Sequence, residues 1–189
     1  MRSHQISVPR VQDTVATNRP NACNSCHLDR TLAWTAAALR RWFGTPVPSL
    51  SEEQRTLAAA ALDAARGEPG VRALAAWSMG WDAARAASNG DWMAPILIEL
   101  LDDEYAAVRY IAYHSLRQIS GFGDFEYDYV AAREARWSAQ EAARARWRRR
   151  APGQARPELL IGADGRFARG ELERLMAERP EDDEMFLAE

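Results

Sequence analysis

No long hydrophobic run occurs in this chain of 189 residues. The longest apolar stretches, around residues 57–65 and 95–101, stop short of the roughly 18 to 20 residues a bilayer-crossing helix needs, which excludes a transmembrane helix. Cysteine is almost missing, and two residues cannot build a disulfide scaffold. Basic residues do not outnumber acidic ones, 24 against 27, so no overall nucleic-acid footprint is expected. Residues 1–9 are polar and carry no apolar signal-peptide core; any export signal is expected upstream of Met1. No Ser-His-Asp cluster, phosphate loop or paired-carboxylate constellation stands out. Lysine is absent, so every basic residue is arginine, and about one residue in five is alanine. Both are strong helix formers, and the composition points to an all-α fold.

Both cysteines fall in one pentapeptide, Cys23-Asn24-Ser25-Cys26-His27. C-x-x-C-H is the attachment signature of a c-type haem: two thiols add across the porphyrin vinyl groups and the adjacent histidine ligates the iron. Two intervening residues let one turn of backbone bring both sulfurs to neighbouring vinyls. Two alternatives compete. A redox dithiol calls for a βαβ context that this sequence lacks. A zinc site would draw on Cys23, Cys26, His27 and His4, although adjacent Cys26 and His27 are an awkward pair for one tetrahedral ion.

Residues 29–43 read as a helix free of Gly and Pro, stopped by Gly44 and Pro46. On its wheel His27, Thr31, Trp34, Ala38 and Trp42 form one stripe, placing Trp34 on the haem side, while Trp42 is equally a core residue. Leu32, Ala36, Leu39 and Phe43 form the other stripe and are expected to pack on the rest of the protein. For a second axial ligand the chain offers only three histidines. His4 stands before a spacer of nearly twenty residues, long enough to loop over a macrocycle. His114 sits in a helical repeat and reads as structural. Met79, Met93 and Met176 are possible sulfur ligands but read as core.

The N-terminal string Arg2-Ser3-His4, Val8-Pro9, Pro20-Asn21-Ala22 and the pentapeptide, followed by Trp34 and Arg41-Trp42-Phe43-Gly44, resembles the last haem-binding segment of periplasmic multihaem c-type cytochromes related to the cytochrome c554 group. The resemblance covers residues 1–44, and the alanine-rich remainder only in kind. It implies that Cys23 and Cys26 hold haem c, that His27 is an iron ligand, and that His4 is an iron ligand to some haem. It further implies electron transfer, a periplasmic or cell-surface location, and partners that are a redox protein or upstream haem domains of the same chain. One motif stands here where the group has several, so the chain is expected to be the C-terminal piece of a longer cytochrome.

Downstream the chain repeats itself. Residues 71–79 align with residues 108–116 at an offset of 37, each copy preceded by a further helical run, 52–66 and 92–101. A period near 40 built from helix pairs is the HEAT-like pattern of an α-solenoid. Leu74 and Ile111 are expected at equivalent core positions, Arg72 and Arg109 at matching places. Residues 121–129 read as an ordered loop packed by its rings. Residues 130–150 read as an amphipathic helix held by Trp137, Trp147 and alanines, with a solvated arginine face. Asp164-Gly165 reads as a turn rather than a calcium loop. The expected organisation is a haem-c segment over residues 1–46, HEAT-like repeats over 47–150, and a turn, helix and acidic tail over 151–189. The rival is a haem-free HEAT-type interaction module whose C-x-x-C-H binds zinc or is vestigial.

Overall fold

Alanine and arginine favour helix, and the computed structural model, which describes residues 8–179, is all-α. Its helices are α1 (Val11–Thr17), α2 (Leu32–Phe43), α3 (Glu52–Thr56), α4 (Ala59–Arg66), α5 (Pro69–Gly80), α6 (Asp82–Ser88), α7 (Ala94–Glu99), α8 (Ala106–Leu116), α9 (Arg133–Arg148) and α10 (Arg169–Ala177). Extended pairing among the described residues is confined to isolated bridges, Thr31 with Ala58 and Ile161 with both Arg156 and Phe167.

Helix α2 begins at Leu32 rather than at residue 29, because Thr31 is extended and its hydroxyl accepts a hydrogen bond from the Trp34 amide. It ends at Gly44, whose φ of 66° suits a residue without Cβ. Leu32, Ala36 and Leu39 are buried with Val11 and Leu50 in a small second core, whereas Phe43 is 66% exposed. The helix expected over residues 52–66 is split. Leu57 and Ala58 are extended, and the Ala58 and Ala59 amides donate to the Glu158 and Arg30 carbonyls instead of to their own helix. That break ties the exit of the cysteine motif to the C-terminal segment.

The internal repeat is visible in the packing. At the 37-residue offset the buried positions coincide: Val71 with Val108, Arg72 with Arg109, Ala75 with Ala112, Ser78 with Ser115, Met79 with Leu116. Leu74, expected in the core, is instead 50% exposed, and Ile111 is only partly buried. At 3.6 residues per turn the seam follows residues 71, 75 and 79, which leaves Leu74 beside Trp77 on the outer edge. Helices α5 and α8 approach closely at Gly80, where a Cβ would lie 2.4 Å from Ser115 Oγ.

The paired arginines repeat in their bonding too. Arg72 Nη1 donates to the Gly67 carbonyl and Arg109 Nη1 to the Glu104 carbonyl, each at 2.8 Å and each five residues back. Arg72 then reaches forward to the next copy, donating from Nε (2.8 Å) and Nη2 (3.1 Å) to the two oxygens of fully buried Asp103.

Helix α7 is the spine, with every residue from Ala94 to Leu101 buried. Helix α9 covers it through polar groups: Gln140 donates to the Ile98 carbonyl at 2.9 Å, and Arg144 pairs with buried Glu99. Trp137 is 58% exposed, so the expectation that this helix is held by both tryptophans fails there, and buried Gln140, Ala143 and Arg144 take that place. Phe122, Phe125 and Tyr127 of the ring-bearing loop are buried, and Tyr127 donates to the Leu101 carbonyl. Helix α10 packs on α4, bringing Leu172 and Leu175 into the main core.

Candidate haem attachment site

A single helical turn carries the pentapeptide. Cys26 N donates to the Cys23 carbonyl at 3.3 Å and His27 N to the same oxygen at 2.9 Å, so the cysteines stand three residues apart on one turn with neighbouring side chains. The residues between them are structural. Asn24 is 2% exposed; its Nδ2 donates to the Arg30 carbonyl at 3.0 Å, and its Oδ1 accepts from the Thr35 hydroxyl at 2.7 Å. Asn21, also buried, accepts from the Cys23 amide at 3.1 Å.

The turn is fixed from behind by Ser88 at the end of α6, whose hydroxyl accepts from Leu28 N (2.9 Å) and donates to the Cys26 carbonyl (3.1 Å). Leu28 is buried in the main core. Backbone and amide side chains therefore bind inward. Both cysteines are free and half-buried, and the His27 side is exposed.

Trp34 stands against His27 with ring centroids 5.2 Å apart, and the Arg30 guanidinium lies 5.6 Å from the Trp34 ring. An apolar wall thus flanks the imidazole, and a cation lies over that wall. Trp42, farther along α2, is 62% exposed. Burial pushes the Cys23 thiol up from its ordinary range, a backbone hydrogen bond only partly opposing it. A catalytic redox dithiol works through a depressed thiol pKa, so the environment of Cys23 runs against that alternative.

Asn21 and Leu32 also border a cavity of about 520 Å³ that reaches Asp63 and Arg66 on α4. Burial raises the Asp63 carboxyl to about 7, and the nearby Arg66 charge offsets this only in part. Among the described residues no three His, Cys, Asp or Glu side chains group closely enough to hold a metal ion. His4 lies outside the described residues. His114 is exposed against Tyr110 and Tyr113, at 4.3 and 5.3 Å. Met79 and Met93 are fully buried in the main core, and Met176 packs against it. Neither a protein-family profile, nor a curated protein, nor a solved structure matches the chain.

Sequence reasoning did not find Asn24, Thr35, Ser88, Arg30 or Asp63. Asn24 stands inside the motif at a position the signature leaves free, and Ser88 is 62 residues from the Cys26 carbonyl it holds. No local pattern marks either.

Proposed function

We propose that this chain carries one covalent haem c on Cys23 and Cys26, with His27 as an iron ligand, and transfers electrons as the C-terminal part of a multihaem cytochrome. The observation that carries the reading is the pentapeptide on one helical turn: its imidazole is exposed and its cysteines half-buried, its backbone is bonded to Asn21 and Ser88, and its Asn24 side chain is bonded inward to the Arg30 carbonyl and the Thr35 hydroxyl. Those residues fit the group: two neighbouring thiols for the vinyls, one imidazole for the metal, Trp34 as an apolar wall and Arg30 as a cation for a propionate. When bound, the haem supplies one-electron chemistry. The chain's own residues orient the imidazole, exclude water with the indole and hold the attachment turn still.

In this reading His4 would be an iron ligand to some haem, and a haem held by two histidines would supply electron transfer. The paired helices of residues 47–150 serve as a HEAT-like docking scaffold for a redox partner or for upstream haem domains. Because bacteria attach haem c outside the cytoplasm, the protein belongs in the periplasm or on the cell surface.

The test is expression with periplasmic haem-maturation machinery, followed by haem staining of a denaturing gel. Staining of the wild type and its loss in the Cys23→Ser/Cys26→Ser variant support the reading. A second reading, a haem-free interaction module, draws on the exposed side chains Leu74, Trp77 and Trp81, the two indoles stacked 5.7 Å apart. An unstained band containing zinc selects it.

A further inference from the structure

A cavity of about 620 Å³ lies away from the cysteine motif, between α7, the end of α9 and the turn that precedes α10. That is the size of a small-molecule site. Its walls are apolar and aromatic, including Trp92, Trp147, Phe167 and Pro95. Its charged residues are five arginines against two carboxylates, and the buried carboxylate, Glu99, is already held by Arg144 on two nitrogens.

The remaining cations are unequally engaged. Arg166 is exposed and makes no ion pair among the described residues, and Arg148 has only a 3.8 Å approach to Glu141. Arg169 Nε is buried without a hydrogen-bond acceptor, although Glu99 and Glu173 stand 3.4 and 2.9 Å away. Arg169 also opens α10, whose N-cap, Ala168, provides no side-chain cap. Helix termini of this polarity favour anions. Apolar rings joined to spare guanidinium donors suit a flat ring that carries a negative group, since arginine binds carboxylate and phosphate in bidentate fashion.

We propose that this cavity binds a small aromatic anion, its ring against Trp147 and Phe167 and its carboxylate or phosphate on Arg148, Arg166 and Arg169. Isothermal titration of the full chain uses four probes: 1-naphthyl phosphate, 1-naphthoate, 1-naphthol and inorganic phosphate. The expected result is one site at which naphthyl phosphate or naphthoate binds at least tenfold more tightly than naphthol or inorganic phosphate. Whichever of the two is tighter names the anionic group.

Arg148→Ala/Arg166→Ala should weaken that binding at least tenfold, and Trp147→Leu should weaken it with the arginines intact. Circular dichroism checks that each variant is folded. Val130→Ala, an exposed position outside the cavity lining, should leave it unchanged. Equal affinity for naphthol and naphthyl phosphate, no binding of either anion, or binding indifferent to the arginine pair overturns the proposal.

Discussion

Asp103 is the buried charge on which the repeat pair depends, and its removal is the most direct probe of the fold. The carboxylate is fully buried and accepts four hydrogen bonds: Arg72 Nε at 2.8 Å, Arg72 Nη2 at 3.1 Å, Arg179 Nη1 at 3.2 Å and the Tyr105 amide at 3.1 Å. Arg72 is likewise fully buried. Asp103→Ala leaves the buried Arg72 guanidinium with only the exposed Glu104 carboxylate, 3.3 Å from Nη2, as a counter-charge, and breaking a buried pair this way costs about 3 to 5 kcal/mol. A domain of this size is stable by roughly 5 to 15 kcal/mol, so the loss is a large share. Arg72→Met should cost less. The methylenes are replaced by a similar apolar volume, and Asp103 keeps Arg179 and the Tyr105 amide. The double variant Arg72→Met/Asp103→Ala should recover part of the loss, with a coupling of about 0.5 to 3 kcal/mol, because the stranded charge is gone. Urea unfolding followed by circular dichroism at 222 nm reads all four proteins. A loss under about 1 kcal/mol for Asp103→Ala, or strict additivity of the two changes, would refute the argument that this pair joins the two copies.

What the sequence revealed and what it hid separate along a physical line. Helix type, the repeat offset and the motif all rest on short-range information. The recurrence of Val-Arg at 71–72 and 108–109 marked two helices that share five buried positions. The error lay in which face was buried: Leu74 and Ile111 were the most hydrophobic choices, yet the seam uses smaller Ala75 and Ala112 because the helices come close at Gly80. In α9 the hydrophobic rule misled more deeply. Trp137 is exposed, while Arg144 and Gln140 are buried because Glu99 and the carbonyls of α7 require partners. The split of residues 52–66 was likewise invisible, since its causes are the distant carbonyls of Arg30 and Glu158. At the candidate site Cys23, Cys26 and His27 fall within five residues and are legible, whereas the groups that hold their turn, Thr35 through Asn24 and Ser88 through the Cys26 carbonyl, are brought there only by the fold.

The remaining predictions concern packing, the motif and pH. Leu116→Ala, at a fully buried repeat position, should cost about 2 to 5 kcal/mol. Leu74→Ala should stay near 0.5 kcal/mol or below by the same urea assay. Asn24→Ala removes a buried acceptor and donor from the motif; it should lower the stained fraction after periplasmic expression relative to Ser25→Ala, and equal staining would show that the clamp is dispensable. The pH dependence centres on Asp63, whose carboxyl is raised to about 7 by burial, against an unfolded value near 3.9. Between these values the folded protein keeps a proton that the unfolded chain has released. Its contribution to stability therefore falls as pH rises from about 4 and levels off above about 7. Asp63→Asn removes the ionisation, so the urea midpoint of the wild type should decline relative to that variant between pH 5 and pH 8. Arg66 partly offsets the burial, and Arg66→Gln should make the decline steeper when measured in both the wild-type and Asp63→Asn backgrounds, a comparison that cancels the surface pairs of Arg66 with Glu53 and Glu178. A wild type that gains stability over Asp63→Asn across this range would show that Asp63 is held ionised, and that the cavity beside the motif carries a negative charge at neutral pH.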